Sequence, residues 1–138
     1  METLSLLEAL SQVRRYQFAQ IDGLPAERRI VIPKGFRNHL HWQLGHNIVE
    51  TDNLLFKLTG ERQLPTAFQY YFANGTSPKA WIGEPPSWDE LTELLLSQCD
   101  QVRNTIETDN YESALQLAPH LYHEWLHAGI INAMVKLV

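Results

Sequence analysis

Apolar residues recur along most of this chain at the three-to-four-residue spacing of one helix face, and that pattern divides it into four main segments. From Leu4 to about Ile21, Leu6, Leu10, Val13 and Ile21 fall on one stripe, with Glu8, Arg14 and Arg15 elsewhere around the wheel, which predicts an amphipathic first helix. Asp22-Gly23-Leu24-Pro25 ends it, because glycine supplies the cap conformation and proline cannot continue the ladder. A short turn at Ala26 to Arg29 and an extended link at Ile30 to Pro33 follow. The second helix is predicted from about Phe36 to Leu58, closed by Thr59-Gly60. It carries two stripes, one of Leu40, Leu44, Ile48, Thr51, Leu55 and Leu58, the other of His39, Trp42, His46, Val49, Asn53 and Phe56. A helix apolar on two sides is central to a bundle or also lies at a subunit contact.

The middle, Glu61 to Pro86, is irregular. A short helix is expected over Leu64 to Phe72, with turns at Asn74 to Pro78 and Gly83 to Pro86, and its aromatic residues suit a cover over one end of the core and a pocket wall. Ser87-Trp-Asp-Glu90 is a capping box that opens a third helix, running to about Ile106 with Trp88, Leu91, Leu95 and Val102 inward. A break is expected at Thr108 to Asn110, the pattern is ambiguous from Tyr111 to Ala118, and Pro119 is placed at the first turn of the last helix. No strand stands out. The sum is an all-α fold over residues 1–138, one domain: a four-helix bundle with a long connection between helices two and three.

Composition narrows the function. At 138 residues the chain can bury a core without disulfides or a structural metal. A net charge of -5, with Arg14-Arg15 and Arg28-Arg29 its only basic pairs, argues against nucleic acid as a partner. No apolar run reaches the roughly 18 residues of a membrane span, and Met1 to Leu4 lacks a basic signal-peptide start, so a cytoplasmic protein without a membrane partner is expected. The one cysteine, Cys99, reads as a small buried hydrophobe.

The chemistry lies in the histidines. His123 and His127 are one helical turn apart, a spacing at which two imidazoles can hold one metal ion. With Glu124 between them they match H-E-x-x-H, the zinc-protease pattern in which the glutamate is the general base. A protease is disfavoured: eleven residues follow His127, Ile130 stands where the longer motif requires glycine, and bordering strands are missing. A third ligand must then come from another helix, where His39, His41 and His46 are the candidates. His39 and His46 share a face but lie about 10 Å apart along the axis, too far to bind one ion together. His46 follows Gly45, whose missing side chain allows close approach of another element.

His41-Trp-Gln-Leu-Gly-His46, the helix end Leu58-Thr-Gly60, Phe72-Ala-Asn-Gly75-Thr-Ser-Pro78 with Trp81, the Pro86-Ser-Trp-Asp-Glu-Leu91 helix start, and His123-x3-His127-Ala-Gly129-Ile130 occur in an order that resembles the DinB-like family of metal-dependent enzymes. That resemblance implies an up-and-down bundle, commonly a homodimer, with a divalent metal on His46, His123 and His127. Asn47 departs from the family, where an apolar residue is usual, and Glu124 is not a fixed family feature. Three nitrogen ligands leave a position open for water or substrate and suit zinc or nickel, with iron and copper also compatible. The expected function is a metal-dependent hydrolase, with Glu124 the catalytic base, or a transferase using a low-molecular-weight thiol, in either case on a small-molecule substrate. Glu50, His39 and His120 are placed to orient a ligand or line the pocket. The alternative is a non-catalytic metal-binding or stress-response bundle acting as an interaction protein.

Overall fold

A computed structural model describes residues 3–106 and 111–138, and the break expected at Thr108 to Asn110 lies outside them. The order is α1 (Thr3–Ile21), α2 (Ala26–Arg29), α3 (Leu40–Thr59), α4 (Ala67–Phe72), a 3-10 turn (Pro78–Ala80), α5 (Trp88–Thr105) and α6 (Tyr111–Leu137). The described residues contain no strand. The four long helices α1, α3, α5 and α6 pack together as a four-helix bundle with one long crossover, the connection from α3 to α5, which α4 and the 3-10 turn fill. No described helix is long and apolar enough to cross a membrane.

The core has two apolar clusters. One gathers Ile21, Leu40, Leu44, Ile48, Phe72, Leu91, Leu95 and Ile131, and the other Leu6, Leu7, Leu10, Val13, Leu55, Val102 and Leu117. Along α3 and along α5 the chain passes from the first to the second, while α1 and α6 pass the opposite way. The long connection therefore carries the chain back along the bundle before α5 begins.

Two helix starts differ from expectation. α3 begins at Leu40 rather than Phe36, because His39 is its cap: the backbone there is extended, and His39 Nδ1 accepts a hydrogen bond of 3.1 Å from the Trp42 amide. Burial, with His41 alongside, lowers the His39 pKa from the ordinary 6.5 to about 4, so the ring is neutral and free to accept. Histidine is not among the residues that ordinarily signal a cap. α6 begins at Tyr111, with Pro119 inside it. Leu117, fully buried in the second cluster, rewards two helical turns before the proline, and this packing outweighs the lost backbone bond.

Arg14, expected on the solvent side of α1, is the largest fully buried side chain. It lies between the two apolar clusters and joins all four long helices. Nη1 donates to Leu95 O (2.8 Å) and Gln98 Oε1 (3.1 Å) on α5, and Nη2 to Thr51 Oγ1 (2.6 Å) on α3. On α6 its Nε and Nη2 donate to Glu124 Oε1 at 3.0 and 2.6 Å. Position 14 is four residues from Leu10 and seven from Ile21, so the signal of burial was present in the spacing.

The two helical glycines of the His motifs differ. A Cβ on Gly129 would meet nothing within 4 Å, so Gly129→Ala is expected to raise stability by about 0.5–1 kcal/mol through helix propensity, read from denaturant midpoints. A Cβ on Gly45 would overlap the ring of Phe72.

Candidate metal centre

α3 and α6 pack with His46 facing His123 and His127. One ring nitrogen of each lies within 4.8 Å of those of the other two, a cluster capable of coordinating a divalent metal. Ring centroids are 5.3 Å apart for His46 and His123, 4.8 Å for His46 and His127, and 4.3 Å for His123 and His127. His46 is buried and the other two are half-buried, along a cleft of about 500 Å3 whose walls include Asn38, Trp42, Glu50, Leu126 and Ile130.

The surroundings fit a metal. His46 Nδ1 donates to the carbonyl of Phe72 at 3.0 Å, and His127 Nδ1 donates to Gln43 Oε1 at 2.7 Å, which leaves the lone pair of each Nε2 for an ion. His123 Nδ1 is buried with no hydrogen-bond partner among the described residues, a polar atom left unsatisfied. Burial, then the nearby His46, lowers the His123 pKa. The same causes, with His123 added, lower His127 to about 3. These two imidazoles are thus neutral and able to ligate at physiological pH. Trp42 stacks on His46 with centroids 4.6 Å apart and planes within 8°, and its indole N–H donates to Thr76 Oγ1 at 2.9 Å, so the connection holds the ring that holds His46.

Lowered histidine pKa values set a pH dependence. Between pH 6.5 and about 4, the unfolded chain takes up protons on His39 and His127 that the folded metal-free chain refuses, so the unfolded state binds more protons and stability falls as pH falls. The melting temperature of chelator-treated protein should therefore decline through this window. A flat profile would contradict the assignment of neutral, buried rings.

The other expected residues have other places. His41 Nε2 lies 2.8 Å from Pro86 O, and its ring packs against Phe72, Trp81 and Trp88, tying the connection to α3. Glu50 does not orient His46, whose Nδ1 is taken by Phe72; it lies on the cleft wall and accepts from Asn53 Nδ2 at 3.3 Å. His120 lines a smaller space of about 270 Å3 together with Glu50 and His123, and its Nε2 lies 2.9 Å from Thr51 Oγ1 and 3.4 Å from Glu124 Oε1.

Glu124 points away from the cleft, into the polar layer. It is fully buried and is not among the residues lining the cleft. Oε1 receives Arg14, and Oε2 receives Gln17 Nε2 at 3.0 Å. Burial alone would raise its pKa; the Arg14 guanidinium and His120 outweigh it and hold the carboxyl well below the usual range. Asn47 joins the same layer, donating from Nδ2 to Gln17 Oε1 at 3.2 Å, which gives the departure from an apolar residue a local partner. Cys99 is half-buried, and burial raises its thiol pKa, in keeping with a packing role.

Sequence reasoning missed Gln43 and Phe72 as supports of His127 and His46. Gln43 had a weak signal, a buried polar residue one turn before His46; the Phe72 contribution is a backbone carbonyl and carries none.

A helical bundle presenting three convergent imidazoles from two helices defines a class, that of bundles with a candidate metal centre between helices. A profile of the DinB superfamily matches residues 9–131, and the chain belongs to that superfamily. No curated protein matches the chain.

Proposed function

We propose that the protein is a metal-dependent enzyme acting on a small molecule, with a divalent transition metal on His46, His123 and His127, zinc or nickel before iron or copper. The observation that carries this reading is the convergence of three imidazoles beside an open cleft, two with their outer nitrogens fixed and the third with a buried nitrogen unsatisfied. When bound, such a metal supplies Lewis-acid activation of a thiol or of water.

The chain's own residues divide the remaining work. Phe72 and Gln43 set the tautomers of His46 and His127, Trp42 limits rotation of His46, and Leu126 and Ile130 give the cleft an apolar flank. We assign Glu124 to positioning rather than to proton transfer, since its oxygens are filled and its pKa is held down. With that carboxylate engaged elsewhere, transfer of a low-molecular-weight thiol to an electrophile is the favoured chemistry, because activation of a thiol at the metal demands least of a separate base. Hydrolysis is the second reading, favoured by Glu50, a carboxylate on the cleft wall able to take a proton.

Activity of metal-loaded protein toward a panel of electrophiles with different cellular thiols, compared with ester and amide substrates, separates the two. Glu50→Gln should leave thiol transfer within a few-fold and should lower hydrolysis about 10²–10⁴-fold. Turnover of neither panel would favour a non-catalytic interaction bundle. Exposed Tyr122, Trp125 and Leu126 on α6 support a homodimer, which sedimentation of the purified protein would test.

A further inference from the structure

Asn38, Trp42 and Asn74 line the metal cleft and also a second cleft of about 470 Å3. The two spaces are therefore neighbours with a shared wall. Their chemistry differs. The metal cleft carries the carboxylate of Glu50, whereas the second is edged by Arg37 and Lys79 and has no acidic residue in its lining.

Neither the Arg37 nor the Lys79 side chain has an ion-pair or hydrogen-bond partner among the described residues, although the chain holds 16 acidic residues against 11 basic ones. Two unpaired cations on one concave surface of a net-negative protein make a local positive field, and the low-dielectric wall of Trp42 concentrates it. Arg37 offers a planar fork of donors and Lys79 a movable point charge, a combination suited to the oxygens of one anion.

Asn38 connects this space to the ligands. Its Oδ1 accepts from Gln43 Nε2 at 2.9 Å, and Gln43 Oε1 accepts from His127 Nδ1 at 2.7 Å. The amide hydrogens of Asn38 have no acceptor among the described residues, and a guest on them would stand one glutamine away from His127.

We propose that the second cleft is an anion subsite of the metal centre: the substrate or thiol co-substrate carries a carboxylate or phosphate that Arg37, Lys79 and Asn38 hold while its reactive end reaches His46, His123 and His127. This rests on the metal-centre reading above.

The test is an amide NMR titration of zinc-loaded protein with inorganic phosphate and, separately, acetate, following Gly75, Thr76, Ser77, Lys79 and the Trp42 indole. Saturable shifts at these positions are expected, weakened at least about tenfold in the Arg37→Gln, Lys79→Gln double variant, with zinc content unchanged. Tighter phosphate binding would identify a phosphorylated ligand, and tighter acetate binding a carboxylated one. Absent shifts, or equal shifts in wild type and variant, would overturn the subsite while a retained zinc ion left the metal centre standing. If zinc does not load, the metal centre fails, and the same titration of metal-free protein still decides the subsite by the same criterion.

Discussion

Glu124→Ala is expected to lower folding stability by about 3–5 kcal/mol, because it strands the Arg14 guanidinium in the bundle core without its counter-charge. Domains of this size commonly have about 5–15 kcal/mol in all, so equilibrium urea denaturation would show a large fall in midpoint. The size follows from asymmetry. A buried ion pair is of small net benefit over an apolar pair, since both ions lose their water, but half a pair leaves a desolvated charge. Replacing both partners, Arg14→Met with Glu124→Leu, should accordingly recover part of the loss, the remainder belonging to Thr51, Gln98 and Gln17, whose hydrogen bonds to the pair are lost with it. The experiment also separates two roles: a catalytic base at Glu124 predicts Glu124→Gln protein of unchanged stability and abolished turnover, whereas the layer described above predicts lowered stability. Below the usual carboxylate pKa of 4.5, the contribution fades as pH falls, because the unfolded chain takes up a proton that the folded carboxylate, with its depressed pKa, resists.

Gly45→Ala should disturb the metal centre without touching a ligand. The added methyl would overlap the ring of Phe72, which is fully buried, so the ring or its helix must shift. Overpacking of this kind costs about 1–3 kcal/mol. More informative is its direction: moving Phe72 moves the carbonyl that receives His46 Nδ1, and loss of such an outer contact typically lowers metal affinity about 10–100-fold. Competition against a chromophoric chelator measures it. Wild-type affinity in a folded Gly45→Ala protein would show that the Phe72 carbonyl does not set the geometry of His46.

Much of this molecule was legible before its structure. The helical periods marked the four long helices, and half of the capping box at Ser87 forms: its hydroxyl accepts from the Glu90 amide at 3.1 Å, while no bond from the Glu90 carboxylate back to Ser87 occurs among the described residues. One-turn spacing paired His123 with His127, and Gly45 signalled a close approach, which proves to be by Phe72 of the connection rather than by a long helix. The doubly apolar α3 is central: Trp42, His46 and Val49 of its second stripe are buried, and only towards Phe56 does that stripe reach solvent.

What escaped were features that arise only when distant segments meet. Arg14 and Glu124 read as surface charge and catalytic base until their helices pack together, 110 positions apart in sequence. His39 reads as a pocket residue until its ring is buried, neutral and accepting from the Trp42 amide. Pro119 reads as a helix start because a local rule for proline cannot weigh the burial of Leu117. In each case tertiary packing overrode a local preference.

The metal centre is tested most directly by the metal content, by elemental analysis, of protein purified without a histidine tag. We predict about one divalent transition-metal ion per chain in the wild type and loss of it in His46→Ala, His123→Ala and His127→Ala, with His41→Ala retaining it. A wild-type protein without stoichiometric metal after exposure to zinc or nickel, or triad variants that keep their metal, would contradict the proposed centre.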